Sequence, residues 1–188
     1  MNQISQTTPT TIGQNDEITP RFAVLRARWH ADLVDRAVDG FTDRMAERGI
    51  PAAAIDVIDL PGAFEIPLEA KRIAEAGRHV AVIAVGFVVD GGIYRHDFVA
   101  RAVIEGLMRV QLDTGMPVFS VVLTPHHFHE HDVHQAFFTG HMTTKGQEAA
   151  EACLATPAVR DRLGDHAARP DAARPDAPRA DAPRADAA

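Results

Sequence analysis

Arg95, His96 and Asp97 follow Gly91 and Gly92 within GFVVDGGIYRHDFVARAV, Gly86 to Val103, where an apolar run gives way to a helical pattern. Two glycines let a backbone approach a ligand closely, and the amides that open a helix cradle an anion. An arginine fork suits phosphate, and an imidazole moves protons near neutral pH. The chemistry on offer is an anion site beside a proton carrier, with Asp97 able either to orient His96 or to complement the helix start. A plain structural reading stands beside it, since glycines and charges also open helices that bind nothing. GGIYRHD is not a nucleotide fingerprint.

Three other places carry candidate chemistry. Trp29 is the only tryptophan and stands between Arg28 and His30 directly after a β-rich run; it is either an apolar plug or a platform for a flat heterocycle. PGAFEIP, Pro61 to Pro67, delivers Phe64 and Glu65 at the head of a helix, where Glu65 complements the helix dipole or meets a ligand. In TPHHFHEHDVH, Thr124 to His134, five of the ten histidines fall within nine residues: His126, His127, His129, His131 and His134. Helical spacing puts His127, His131 and His134 on one face, compatible with a divalent metal, an anion site, an interface, or a solvated loop. The HExxH spacing of metalloproteases is absent.

These segments need elements to hold them. Arg21–Ala27 and Ala54–Leu60 read as strands, Val80–Val85 as a strand apolar on both faces, and Pro117–Leu123 as a fourth. Between them lie helical patterns over Ala31–Arg48, with Leu33, Ala37, Phe41 and Met45 at four-residue steps, over Ile66–Ala76, and over about Asp97–Asp113; a last one covers about Lys145–Leu163. Strict β-α alternation predicts an α/β doubly wound parallel sheet, and ligands of such sheets bind beyond the carboxyl ends of the strands. All four candidate segments follow a strand.

The rest of the chain bounds the function. A chain of 188 residues, 46% hydrophobic and 24% charged, has room for one domain over about residues 20–165. Residues 1–19 read as a flexible arm, and the Ala/Pro/Arg/Asp repeat from residue 166 as a disordered tail. The net charge of −7 argues against nucleic acid. The longest apolar run, Val80 to Val89, is far too short for a membrane span. Cys153 stands alone, which rules out an internal disulfide and fits a reducing cytoplasm.

The five blocks together resemble the lumazine synthase family. They are Trp29 after the first strand, GAFEIP at Gly62 to Pro67, Gly86 to Val99, PVFSVVLT at Pro117 to Thr124, and the KGxEAA run at Lys145 to Ala150. The resemblance spans about Arg21 to Ala155. It implies a flavodoxin-like three-layer α/β/α domain with a four-stranded parallel sheet, assembled as pentamers or dimers of pentamers with sites at subunit interfaces. It implies condensation of 5-amino-6-(D-ribitylamino)uracil with 3,4-dihydroxy-2-butanone 4-phosphate, giving 6,7-dimethyl-8-ribityllumazine, phosphate and water, with no cofactor and no metal.

By that resemblance Trp29 stacks on the pyrimidine, and Ala63, Phe64 and Glu65 meet the uracil and ribityl chain. Phe87, Val88 and Val89 edge the pyrimidine pocket, and Gly92 and Ile93 hold the butanone phosphate. The departures are specific. Arg95 stands where most members carry a proton-shuttling histidine, which here comes one residue later, so His96 is expected to move the proton and Arg95 to supply charge. Ile93 replaces a threonine, Ser120 a phenylalanine, and an ungapped count places His134 where a phosphate-gripping arginine is usual. YRHD with HHFHEHD resembles the divergent second type of lumazine synthase. Two further functions fit the residues: a flavin- or lumazine-binding oligomer with little or no catalysis, and a metal-dependent hydrolase built on the histidine loop.

Overall fold

A computed structural model describes residues 20–90, 95–125 and 132–168. Its elements run β1 (Arg21–Ala27), α1 (Ala31–Glu47), β2 (Ile55–Leu60), α2 (Ile66–Ala76), β3 (His79–Phe87), α3 (His96–Thr114), β4 (Val118–Leu123), α4 (Asp132–Ala155) and α5 (Pro157–Ala168). The four strands form one sheet in the order β2-β1-β3-β4, every neighbouring pair parallel. Leu25 of β1 sits opposite both Ile58 of β2 and Ala84 of β3.

Side-chain alternation along the strands divides the core. Phe22 and Val24 face the layer made by α1, α4 and α5, whereas Ala23, Leu25 and Ala27 face α2 and α3. β3, HVAVIAVGF, is buried at all nine positions, as an inner strand covered on both faces must be. The four-step stripe Leu33, Ala37, Phe41 and Met45 is the buried face of α1. Helices α2 and α3 each end on a glycine in the left-handed region, Gly77 and Gly115, which lets the chain turn back into the next strand. The result is a flavodoxin-like three-layer α/β/α domain.

The strand starts are tied by one carboxylate. Asp56 accepts from Arg21 Nε at 2.7 Å, is in contact with Arg21 Nη2, and lies 2.9 Å from His79 Nε2. The Arg21 guanidinium above all, and His79 after it, outweigh partial burial and hold the Asp56 carboxyl down at about 2. This cluster joins β1, β2 and β3 at their amino ends, opposite the loops that leave their carboxyl ends.

The last helical stretch differs from the expectation of a single helix over about Lys145–Leu163. α4 begins at Asp132, takes in the end of the histidine-rich segment, and stops at Ala155; α5 then starts at Pro157 and runs to Ala168. A proline cannot continue a helix but is preorganised to begin one, and Arg160 N–H bonds the Thr156 carbonyl at 3.1 Å in the new first turn. The buried Val159 and the partly buried Leu163 pack α5 on the core. Residues 1–19 and 169–188 lie outside the described residues, and with them the arm and most of the tail. Among the described residues no helix is long and apolar enough to cross a membrane.

Candidate active site

The order β2-β1-β3-β4 reverses direction between β1 and β3, and at such a switch the loops leaving two adjacent strands diverge and open a crevice. A cavity of about 360 Å³ lies there. The end of β1 contributes Ala27, Trp29 and His30, the turn after β2 Pro61 to Glu65, the end of β3 Phe87, Val88 and Val89, and α3 His96 and Val99.

Each wall has a local cause. Arg28 N–H still bonds Leu60 O at 3.0 Å, so β1 and β2 stay paired to the rim. There the chain turns through His30, which adopts φ 53 and ψ 47, and Trp29 is left 62% exposed over the cavity. After β2, Ala63–Glu65 forms a single 3-10 turn held by Gly62 N–H donating to Glu65 Oε2 at 3.0 Å. Glu65 thus closes its own loop. A Cβ on Gly62 would stand 3.3 Å from that oxygen and 3.9 Å from Trp29 Cε2, so the glycine lets carboxylate and indole approach the loop together. Phe64 projects outward, 65% exposed.

On α3, His96 is the first helical residue and is half-buried in the cavity wall. Arg95 does not reach the cavity. Its Nη2 donates to Asp97 Oδ2 at 2.6 Å and its Nε to Oδ1 at 3.2 Å, and its guanidinium carbon lies 4.6 Å from the centre of the Phe98 ring. The pair raises Arg95 above its ordinary range and lowers Asp97 below the usual carboxylate value, the mutual hydrogen bonds leading both shifts. Asp97 therefore grips Arg95 and not His96, because consecutive residues on a helix point about a quarter-turn or more apart.

Trp29, Ala63, Phe64, Glu65, Phe87, Val88, Val89 and His96 are brought together around one space. Ser120 is not among its walls: it is exposed on β4, an edge strand, with its Oγ accepting from Val122 N–H at 3.3 Å. His134 falls in the first turn of α4, with its side chain outside what the structure describes. Gly92 and Ile93, and the histidines from His126 to His131, lie outside the described residues. Among the described residues no group of three or more His, Cys, Asp or Glu side chains could hold a metal ion. Sequence reasoning flagged His30 only as following a strand; histidine is enriched at positive φ beside asparagine and aspartate, but most histidines still sit at negative φ, so residue type alone does not place the turn there.

Comparison with known proteins gives a consistent picture. A family model described as 6,7-dimethyl-8-ribityllumazine synthase matches residues 19–160. A 6,7-dimethyl-8-ribityllumazine synthase of Rhodococcus erythropolis is 62% identical over 136 residues, 72% of this chain and 88% of the relative. A protein named 6,7-dimethyl-8-ribityllumazine synthase 2 from Pseudomonas syringae pv. tomato is 50% identical over 150 residues, 79% of this chain and 88% of the relative. A second protein of that name, from Bradyrhizobium diazoefficiens, is 50% identical over 143 residues, 76% of this chain and 86% of the relative.

Proposed function

The chain belongs to the 6,7-dimethyl-8-ribityllumazine synthase family, enzymes of riboflavin biosynthesis, and from that premise we propose that the cavity at the β1/β3 switch is where its condensation takes place. The reaction joins 5-amino-6-(D-ribitylamino)uracil to 3,4-dihydroxy-2-butanone 4-phosphate. The observation that carries this reading is the convergence of Trp29, the PGAFE turn, the Phe87–Val89 strand end and His96 on one largely apolar space.

The nucleophile is the 5-amino group of the pyrimidine itself, so the protein has three tasks: orient the two substrates, move protons, and hold an anion. Trp29 and Phe64 offer flat faces to the ring. The PGAFE turn presents backbone N–H and C=O groups to the uracil edge, while the Glu65 carboxylate, anchored on Gly62, meets the ribityl chain. Phe87, Val88 and Val89 keep water from the ring. His96 takes and returns protons as the imine forms and the ring closes, because an imidazole changes charge near neutral pH. Arg95 is always protonated and so supplies charge, exchanging its Asp97 partner for the substrate phosphate beside Gly92 and Ile93.

The site is shared between neighbouring subunits. Trp29 and Phe64 are 62% and 65% exposed, and α3 presents Ile104, Met108 and Leu112 at 40%, 51% and 75% exposure on one helical stripe. Apolar surface of that extent on one face favours a second copy. Ser120 on the edge strand is not among the walls of its own chain's cavity, and a site shared with a neighbouring copy would give it a role there. The assembly is a pentamer or a dimer of pentamers in the cytoplasm, where the buried lone thiol of Cys153 stays reduced.

Mixing the purified protein with both substrates and following lumazine absorbance tests the reading. A rate above the uncatalysed condensation supports it. Quenching of Trp29 by lumazine with no product formed would replace it with a binding oligomer.

A further inference from the structure

Gly106 falls on the same face of α3 as the buried Val103 and Val110, three residues before it and four after. A glycine weakens a helix interior relative to alanine, so its place there calls for a reason. The reason is Pro67 of α2. A Cβ built on Gly106 would stand 2.9 Å from Pro67 Cβ and 3.0 Å from its Cγ, well inside the ordinary carbon contact of about 3.5–4.0 Å. The pyrrolidine ring is closed on its own backbone and cannot swing aside. A methyl group at Gly106 must therefore move backbone, by roughly 0.5–1 Å.

That backbone begins where the PGAFE turn ends. Pro67 is the second residue of α2 and follows Glu65 by two, with Ile66 fully buried between them. The turn is closed within itself by the Gly62 N–H donating to Glu65 Oε2, and it is seated on β3, where Ala63 Cβ lies 3.5 Å from the place a Cβ on Gly86 would take. A shift at Pro67 thus carries the whole turn with it. The other partner in the contact, α3, holds His96 at its first position, ten residues before Gly106 and about 15 Å along a rigid helix. The contact between Gly106 and Pro67 therefore ties together two walls of the cavity: the turn that faces the pyrimidine and the imidazole that moves its protons.

We infer that Gly106 is a positioning residue: by letting Pro67 seat directly on α3, it sets the spacing between the PGAFE turn and His96. This rests on the proposed function above, in which the turn holds the pyrimidine and His96 carries the proton.

The test is a double-mutant cycle on the full-length protein with two readouts: kcat for lumazine formation, and binding of 6,7-dimethyl-8-ribityllumazine followed through the fluorescence of the single tryptophan, Trp29. Gly106→Ala should lower kcat about tenfold, because a misplacement of ~1 Å costs up to about 100-fold. Lumazine binding should stay within about threefold, since Trp29 and the end of β3 are untouched by the shift. Pro67→Gly removes both ring carbons that the methyl group meets, and in that background Gly106→Ala should change kcat by no more than about twofold. The same loss in both backgrounds, a parental kcat in Gly106→Ala, or binding that falls in step with kcat would overturn the assignment. If Gly106→Ala alone fails to fold, recovery of fold and turnover in the double variant supports the assignment, and no recovery overturns it. An unsubstituted protein that forms no lumazine would remove the functional reading itself, and this inference with it.

Discussion

Gly146 of α4 lies so close to Ala37 of α1 that a Cβ built on it would overlap the Ala37 carbonyl oxygen and stand 2.8 Å from the Phe41 amide nitrogen. Gly40 of α1 is in the same position toward the Thr143 backbone of α4. The two helices cross backbone to backbone, each through a glycine.

Replacing a helical glycine by alanine ordinarily stabilises a helix by ~1 kcal/mol. At Gly146 the sign should reverse: Gly146→Ala must push α4 off α1 and destabilise by about 1–3 kcal/mol or more. Gly140, on the same helix with no atom within 4 Å of its notional Cβ, is the control, and Gly140→Ala should be neutral or stabilising. Urea midpoints of the two variants check both.

Acid should loosen the sheet at the strand starts. Asp56 sits at about 2 in the folded chain against an ordinary 3.8, so its ionised form is favoured by folding. That contribution is complete above the unfolded value and is lost as pH falls through the folded one. Asp56→Asn should therefore be less stable than the parent at pH 7, with the gap closing between about pH 5 and pH 2. Denaturation midpoints measured across that range decide it; a constant gap would show that the carboxylate's charge is irrelevant.

Arg95 and His96 at the start of α3 should separate kinetically. His96→Ala should lower kcat at least about tenfold, since proton transfer by a placed side chain contributes ~100-fold or more. Arg95→Ala should act mainly on KM for the butanone phosphate, leaving the pyrimidine KM close to the parent's. Steady-state kinetics with each substrate varied in turn separate the two effects, and a His96→Ala enzyme of parental kcat would refute the proton role.

The apolar stripe on α3 makes activity depend on assembly. Met108→Glu combined with Leu112→Glu places two charges on the exposed face without touching a cavity wall. Solution mass should fall to that of smaller species, and turnover should fall with it. Full activity in a monomeric variant would show the site to be complete within one chain.

Cys153 should be inert. It is fully buried, and desolvation pushes its thiol up to about 12, so almost no thiolate exists at neutral pH. A thiol reagent should react with it in urea and not in buffer.

The alternating layers were legible because periodicity and turn residues agree: β1 and α2 follow the expected bounds, and the α1 stripe is the buried one. The start of α4 was not. Its first turns carry His134, Thr139, Gly140 and His141, residues of modest helix propensity, and the helix is held by its crossing with α1, which no local pattern announces. The break before α5 lies at Thr156-Pro157, where a proline opens a new helix, and residue types alone do not separate that from a single bent one. In the site, Trp29, the PGAFE turn, the end of β3 and His96 lie around one cavity at the rim where the strands end, and Gly91 and Gly92 lie outside the described residues. The turn at His30 and the capture of Arg95 by Asp97 depend on backbone angles and rotamers that residue types leave open.

The glycine crossing also acts as a fulcrum. Phe138, which props Phe87 and through it the His30 ring, lies eight residues before Gly146 on the same helix, about 12 Å along a rigid rod. Whatever tilts that rod at its pivot swings its tip at the rim, so a methyl group added in the protein's interior should register as a looser grip on the lumazine.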